Sequence, residues 1–492
     1  MRENNRSISH RRAFLALLLI AGVLLAFRLC HLRADFPDLH FYSQDGARFT
    51  DEGFYTGAAL HYFTLGHAYL PGGWNPAVFM PVWPLMVGLL FHFTGISVEA
   101  ARILAVVCTW IGVLLAYSVA RQYRSKTFAI LTAFLVASNA LGFFFGRLAI
   151  LEPAFVMWLL LAIYLAGRIR PGNYALAVAV GLVFVAATLT KTTAPFVLPA
   201  VLYPIWANNR KHPREPWKLL AVSFATIVLL LGYTQWIWLH RYAADFQVVL
   251  GLGPRWRAQD VPLRLLRFFF RGTWIDPALF PLALACCIAA LSRLRFLWRD
   301  TLFATAVLWE AGYAAFIAFH IDGPPRYFVT LIVPTIWLAL LFVEWLWTHH
   351  RNVAQIVAAC VAISVIWNVS YVALGLCHPR YTLVHASREM KHLILSEDET
   401  YPKDLLIGHG ADQLSLLSGG FPTMDSDGAM PLTQKLDAYQ PGWFMRWTSD
   451  PPLRAQFVAE KRRLAERAAF PDLNRNHPAG IVLYQLFPRV SP

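Results

Sequence analysis

About eleven apolar runs, most of them close to the length an α-helix needs to cross roughly 30 Å of hydrocarbon, constrain this chain more than any other feature. They fall near residues 13–30, 100–120, 127–145, 154–168, 174–190, 193–206, 217–239, 277–293, 301–319, 327–346 and 352–375. A bilayer core offers no water to backbone N–H and C=O groups, so such runs fold as helices whose hydrogen bonds close within the segment. The expected class is an all-α polytopic membrane protein of about eleven transmembrane helices. Composition agrees: 57% of residues are hydrophobic and only 15% charged, against about 25% charged in soluble domains. The net charge of +14 invites a nucleic-acid partner, but Lys and Arg cluster in short loops between the runs. That pattern orients helices and attracts anionic lipid headgroups, so membrane lipids are the expected partners and nucleic acid is not. The six cysteines lie in or beside apolar runs without metal-ligand spacing, and neither a zinc site nor a disulfide framework follows.

Arg2, Arg6, Arg11 and Arg12 precede the first run, which predicts a cytoplasmic N-terminus and an uncleaved first span. Placing the basic loops "RQYRSK", "GRIRPGN", "NNRKHPREPWK", "RLRFLWRD" and "HHRN" inside works for every run, provided that "NPAVFMPVWPLMVGLLFH", residues 75–92, dips into the membrane without crossing. Residues 1–375 then form the membrane domain, with external loops 31–99 and 240–276. Residues 376–492 form a small extracytoplasmic α/β domain, with strand-like "DLLIGHG" and "GIVLYQLF" and a helical "PPLRAQFVAEKRRLAERAAF".

The same parity gathers chemistry on one face. "DEGFY" (51–55), "EAARIL" (99–104), "GRLAILEP" (146–153), "KTTAP" (191–195) and "HIDGPPRY" (320–327) all fall outside. Read bare, "DE" could cap a surface helix, Glu152-Pro153 could open one, and Lys191 and Arg326 could be interfacial cations. Glu310, in the middle of a run, is a functional candidate or an interhelical hydrogen-bonding group. Histidines are scattered, and the acidic pair lacks the second spaced acid of an Asp-x-Asp, so no metal is expected.

Taken in order, the "DE" pair in the first external loop, the acid before proline in "RLAILEPAFV", the Lys-x-x-x-Pro of "LTKTTAPFVLP" and "PRYFVTLIVP" resemble the dolichyl-phosphate-mannose-protein mannosyltransferase type of GT-C glycosyltransferase, which includes the lipid A aminoarabinose transferases. The chain departs from that pattern in two places. "GGWNPAVFMPVWPLM" has no lysine where many relatives carry a Lys-Pro-Pro-Leu type motif, and Glu152 stands where many have Asp. The resemblance implies a polyprenyl-phosphate sugar donor as co-substrate, no further cofactor, a lipid, protein or glycan acceptor, and inverting transfer on the external face of a bacterial plasma membrane. It implies Asp51 as base, with Glu52 orienting the acceptor or supporting Asp51, and Glu152 as a further catalytic carboxylate. The chemistry itself asks for a carboxylate to take the acceptor's proton and for cations on the departing lipid phosphate. Arg102, Lys191 and Arg326 are the candidates for the phosphate. Tyr55 and Tyr327, with Phe49, Phe54, Tyr62 and Phe63, are placed to stack on sugar and exclude water. The alternative class is a polytopic transporter of a lipid-linked or anionic substrate, for which inverted repeats would be expected; none is visible.

Overall fold

The computed structural model describes residues 2–38, 42, 45, 47–252, 258–291, 299–319, 323–396, 403–471, 473 and 480–488. Among the described residues the regular structure of its membrane part is helical. In chain order the helices are α1 (Arg2–Phe27), α2 (Ala47–Leu65), α3 (Val82–Thr94), α4 (Val98–Tyr123), α5 (Lys126–Ser138), α6 (Ala140–Phe145), α7 (Leu151–Ala166), α8 (Tyr174–Thr190) and α9 (Leu198–Asn209). There follow α10 (Glu215–Arg241), α11 (Ala243–Leu252), α12 (Val261–Arg271), α13 (Leu279–Leu291), α14 (Thr301–Phe319), α15 (Ile332–His349) and α16 (Arg351–Cys377). Among the described residues five stretches are long and apolar enough to cross a bilayer, Val98–Tyr123, Glu215–Arg241, Thr301–Phe319, Pro325–His349 and the run from Arg351, and six shorter apolar helices accompany them.

Helix α3 has 13 residues, about 20 Å at 1.5 Å per residue, the same length as α5 and α13, so length does not by itself set it apart from the crossing helices. Two expectations are corrected. The run 127–145 is two helices, because Asn139 Oδ1 accepts from Gly142 N at 2.8 Å and caps α6, while Asn139 Nδ2 donates to Ile275 O at 2.7 Å. The segment 240–276 is not a plain loop, since α11 and α12 occupy most of it.

After α17 (Thr382–Leu395) the chain enters the small α/β domain, built from β1 (Leu406–Gly408), α18 (Ala411–Leu417), β2 (Thr423–Asp425), α19 (Leu432–Tyr439), β3 (Trp443–Trp447), α20 (Pro452–Lys461), β4 (Arg462–Phe470) and β5 (Ile481–Pro488). The sheet order is β2-β1-β3-β5-β4, the first three strands parallel and the last two pairings antiparallel. The expected helix over 451–470 therefore ends at Lys461. From Arg462 the chain pairs with β5 instead, a tertiary ladder that outweighs local helix propensity.

This domain is not tethered loosely. Leu60 of α2, Trp83 of α3 and Ala101 of α4 share one apolar core with Leu414, Trp443 and Ile481 of the soluble domain. Helix α18 lies across α2 at Gly53, where an added Cβ would stand 2.1 Å from Gln413 N. Only a residue without a side chain permits that approach. Gly53→Ala is therefore expected to push α18 off α2, and the check is faster limited proteolysis of residues 403–488 in the variant than in wild type.

Candidate active site

The acidic pair sits in the second turn of α2, which begins at Ala47, so neither carboxylate caps the helix. Both are buried, Asp51 being 6% and Glu52 0% exposed. Adjacent helical residues point about 100° apart, and the two acids accordingly reach different partners.

Glu52 is saturated. Arg102 on α4 donates to it from Nε at 2.7 Å and from Nη2 at 2.6 Å, Ala149 N donates at 2.8 Å and Gln413 Nε2 of the soluble domain donates at 3.1 Å. Arg102 spends Nη1 on the carbonyls of Leu32 (2.5 Å) and Ala34 (2.7 Å). Burial alone would raise the Glu52 carboxyl, but the Arg102 charge and these donated bonds hold it below the usual carboxylate range. Arg102, expected on the donor phosphate, is thus wholly engaged in binding Glu52 and two carbonyls.

Asp51 faces the other way. Its Oδ2 lies 3.1 Å from Arg326 Nη2, yet the alignment leaves that oxygen without a hydrogen bond; Thr50 Oγ1 donates to Oδ1 at 3.1 Å. Burial raises the Asp51 carboxyl, and the nearby Asp45 and Glu152 add to the rise against the pull of Arg326. Arg326 also pairs with Asp45, through its guanidinium and through its backbone N, the latter at 2.9 Å. Across the site, Lys191 at the end of α8 forms a buried ion pair with Glu152 in the first turn of α7. The ring of Tyr327 joins the two halves: Lys191 Nζ lies 4.4 Å and the Arg326 guanidinium 5.2 Å from its centroid. Tyr55, one turn after Asp51 and on the same helix face, is partly buried, and its phenol is pushed well above its ordinary value by desolvation and then by the Asp51 charge.

The structure therefore brings Asp51, Glu152, Lys191, Arg326, Tyr55 and Tyr327 to one place, and sets Glu52 and Arg102 behind them. Buried polar atoms nearly always find partners, so it matters that Asp51 Oδ2, Glu152 Oε2 and Arg326 Nε have no hydrogen bond. All three belong to this cluster, as expected of a site shaped for a polar ligand. Lys191, which is buried, and Arg326, whose side chain is 14% exposed, both pair with carboxylates rather than reaching out toward an interface. Glu310 lies elsewhere and accepts from Thr335 Oγ1 at 2.5 Å, an interhelical bond between α14 and α15. Asp322 lies outside the described residues. Sequence reading missed Asp45, whose only signal was a third acid six residues before Asp51, and Gln413, which carried no signal because its partner is 361 positions away. Among the described residues one trio of metal-ligating type, His409, Asp425 and Asp427, gathers within 4.8 Å, and it lies in the soluble domain.

Residues 76–238 match the family described as dolichyl-phosphate-mannose-protein mannosyltransferase. No curated relative matches the chain. Among solved structures, ArnT from Cupriavidus metallidurans in the apo state is similar at 14% identity over 96% of this chain and 98% of that one, with a TM-score of 0.57. The same protein bound to undecaprenyl phosphate gives 15%, 95%, 97% and 0.57. The archaeal oligosaccharyltransferase AglB from Archaeoglobus fulgidus, in complex with an inhibitory peptide and a dolichol-phosphate, gives 12% identity over 89% of this chain and 69% of that one, with a TM-score of 0.55. The chain shares its fold with these two proteins and is an integral membrane protein.

Proposed function

We propose that the chain is a glycosyltransferase that moves a sugar from a polyprenyl-phosphate donor to a lipid, protein or glycan acceptor by a single inverting displacement. The observation that carries this reading is the cluster around Tyr327, where a poorly satisfied carboxylate, Asp51, stands beside one buried and one half-buried cation in a fold shared with proteins bound to polyprenyl phosphates. The transporter reading is not favoured by that fold.

Asp51 takes the proton of the acceptor hydroxyl or amine as that atom attacks the anomeric carbon. The C–O bond to the lipid phosphate breaks, and the phosphate leaves with the bonding pair. Two cations, Arg326 and Lys191, face three carboxylates, Asp45, Asp51 and Glu152. The surplus negative charge strengthens Asp51 as a base, and once it holds the proton the cluster is balanced. Arg326 Nε, which has no protein partner, is free to donate to the leaving phosphate, where charge-assisted bonds are strongest. Lys191 supports it from the far side of Tyr327, and Glu152 holds Lys191 in place. Tyr55 and Tyr327 line the sugar position and exclude water. Glu52 and Arg102 fix the angle of α2 and touch no substrate. About eleven spans, with this cluster and the soluble domain on the extracytoplasmic face, complete the proposal.

The test is transfer of label from polyprenyl-phosphate mannose or aminoarabinose in membranes carrying the chain. Label moving to an acceptor supports the reading; no transfer with any such donor, from protein shown to be folded, refutes it. Because the cations are side chains, chelation with EDTA is expected to leave the rate within about twofold. A requirement for added divalent ion would place a metal among Asp45, Asp51 and Glu152. Lys191→Met is expected to lower kcat by about 10²-fold, the size seen when one electrostatic donor is lost, and steady-state transfer kinetics check it.

A further inference from the structure

Three buried hydroxyls near Tyr327 have no hydrogen bond among the described residues. Tyr313 on α14 and Thr330 on the 3₁₀ turn Pro325–Leu331 are 0% exposed, and Thr193, at the head of the turn Ala194–Val197, is 7% exposed. The phenol lies within range of the Thr330 and Thr193 hydroxyls and feels the charges of Glu152 and Arg326, yet neither threonine stands at the distance and alignment of a hydrogen bond to it. A fourth unpartnered atom, Glu152 Oε2, completes the group. Phe316 connects it to the cluster described above, its ring centroid lying 5.2 Å from that of Tyr313 and 5.6 Å from that of Tyr327.

Local structure brings these groups together. At Gly312 an added Cβ would stand 1.9 Å from Phe196 O, so the missing side chain lets α14 press against the turn Ala194–Val197 and carries the next residue, Tyr313, toward Thr193. Residues three apart on a 3₁₀ helix eclipse one another, which sets Thr330 on the Tyr327 side of its turn. Threonines in apolar helices ordinarily return their hydroxyl to a carbonyl one turn back. Thr188 does so to Phe184 O at 3.0 Å, Thr190 to Ala186 O at 2.7 Å and Thr226 to Val222 O at 2.8 Å. Thr193 and Thr330 do not, and Thr193 does not cap its own turn either. A buried hydroxyl without a partner costs stability, and Phe or Val would fill the same volume without that cost. Three such groups kept polar at one place point to a ligand that pairs with them.

The chemistry of the group selects the ligand. Each hydroxyl offers one donor and two acceptor positions, so contacts among the three could not exhaust the set, and Glu152 Oε2 only accepts. No cation belongs to the group itself, because Lys191 pairs with Glu152 through Oε1 and Arg326 with Asp45 and Asp51. A phosphate would set its charge against the Glu152 oxygen, whereas carbohydrate hydroxyls, which both donate and accept, match every member. We propose that Tyr313, Thr330 and Thr193 bind hydroxyls of the donor sugar and so select it, with Glu152 Oε2 accepting from one of them. The inference rests on the transferase reading and deepens it: the donor class is a sugar whose ring carries free hydroxyls away from the anomeric carbon. The three residues determine specificity by contact and exchange no proton with the sugar.

The test is steady-state transfer by the full chain in liposomes, with wild type, Tyr313→Phe, Thr330→Val and Thr193→Val. The donors are undecaprenyl-phosphate mannose, glucose and aminoarabinose, each beside its counterpart lacking the C3 hydroxyl and, for the two hexoses, the C4 hydroxyl. A site built to pair with a hydroxyl rejects the analogue without it, because its own buried groups then stay unpaired. Wild type is therefore expected to transfer one parent sugar and to reject a deoxy counterpart by at least about tenfold in kcat/KM. Tyr313→Phe is expected to lose about tenfold on the parent, the worth of one hydrogen bond, and less than about twofold on that counterpart, so that the rejection disappears. The two threonine variants are expected to reduce it in the same way and decide the matter if Tyr313→Phe does not fold. Without donor, each variant is expected to melt no lower than wild type, since it removes an unpaired group. Wild-type discrimination retained in all three variants, or none in wild type, overturns the inference while leaving the transferase standing; lowered melting with discrimination intact would assign the hydroxyls to the fold alone. Absence of transfer by folded wild type refutes the transferase reading and this inference together.

Discussion

Asp51→Asn is expected to reduce sugar transfer by about 10²–10⁴-fold, the range for loss of a positioned general base, while the protein folds as before. The geometry predicts both halves. Asn keeps the shape and can still accept from Thr50 Oγ1, which donates to Asp51 at 3.1 Å, but it cannot take the acceptor's proton. The stability side follows from the direction of the Asp51 shift. Its carboxyl is raised in the folded protein, so its contribution to stability is fully present below the unfolded-state value and is lost as pH rises through the folded one. At neutral pH the charged form is a liability to the fold, and a neutral Asn relieves it. The same shift sets the pH profile: activity needs the ionised base, so transfer in wild type falls as pH drops through the raised Asp51 value, at a higher pH than an exposed aspartate would give. Transfer rates and thermal unfolding of matched preparations check both.

The second large effect concerns the neighbouring residue and has the opposite character. Glu52→Ala leaves Arg102 buried without its carboxylate, and breaking a buried pair in this way costs about 3–5 kcal/mol. It also removes the group on which α2, α4, the Ala149 backbone and Gln413 of the soluble domain converge. The melting temperature should fall sharply, and transfer should fall with it only as far as Asp51 is displaced. The Glu52 carboxyl is lowered, so its stabilisation is present above the unfolded-state value and is lost as pH falls through the folded one. Arg102→Ala should behave alike, and Glu52→Ala with Arg102→Met should recover part of the loss, because no charge is then left unpaired. Thermal unfolding of the three variants provides the check. Two adjacent acids would thus separate cleanly, one lost through chemistry and the other through structure.

Much of this was legible in the sequence. Apolar runs and basic loops identify the membrane helices, because both patterns are local. The helix phase of "DE" already says that one acid alone faces any given site. What the sequence did not hold was which partner each acid would find. The Glu52–Gln413 bond closes across the whole chain, and Arg102, Lys191 and Arg326 look alike as cations on one face until packing commits Arg102 to Glu52 and leaves Arg326 beside Asp51. The tail failed for a related reason: Arg462–Phe470 reads as the continuation of a helix, and only the pairing with β5 makes it a strand.

The most direct measurement is the anomeric configuration of the product formed by the purified chain in liposomes from a polyprenyl-phosphate sugar of known configuration. Displacement of the lipid phosphate by an acceptor activated at Asp51 predicts inversion, with the product absent in Asp51→Asn. Retention of configuration would contradict the account, because a single back-side displacement by an acceptor activated at Asp51 cannot produce it.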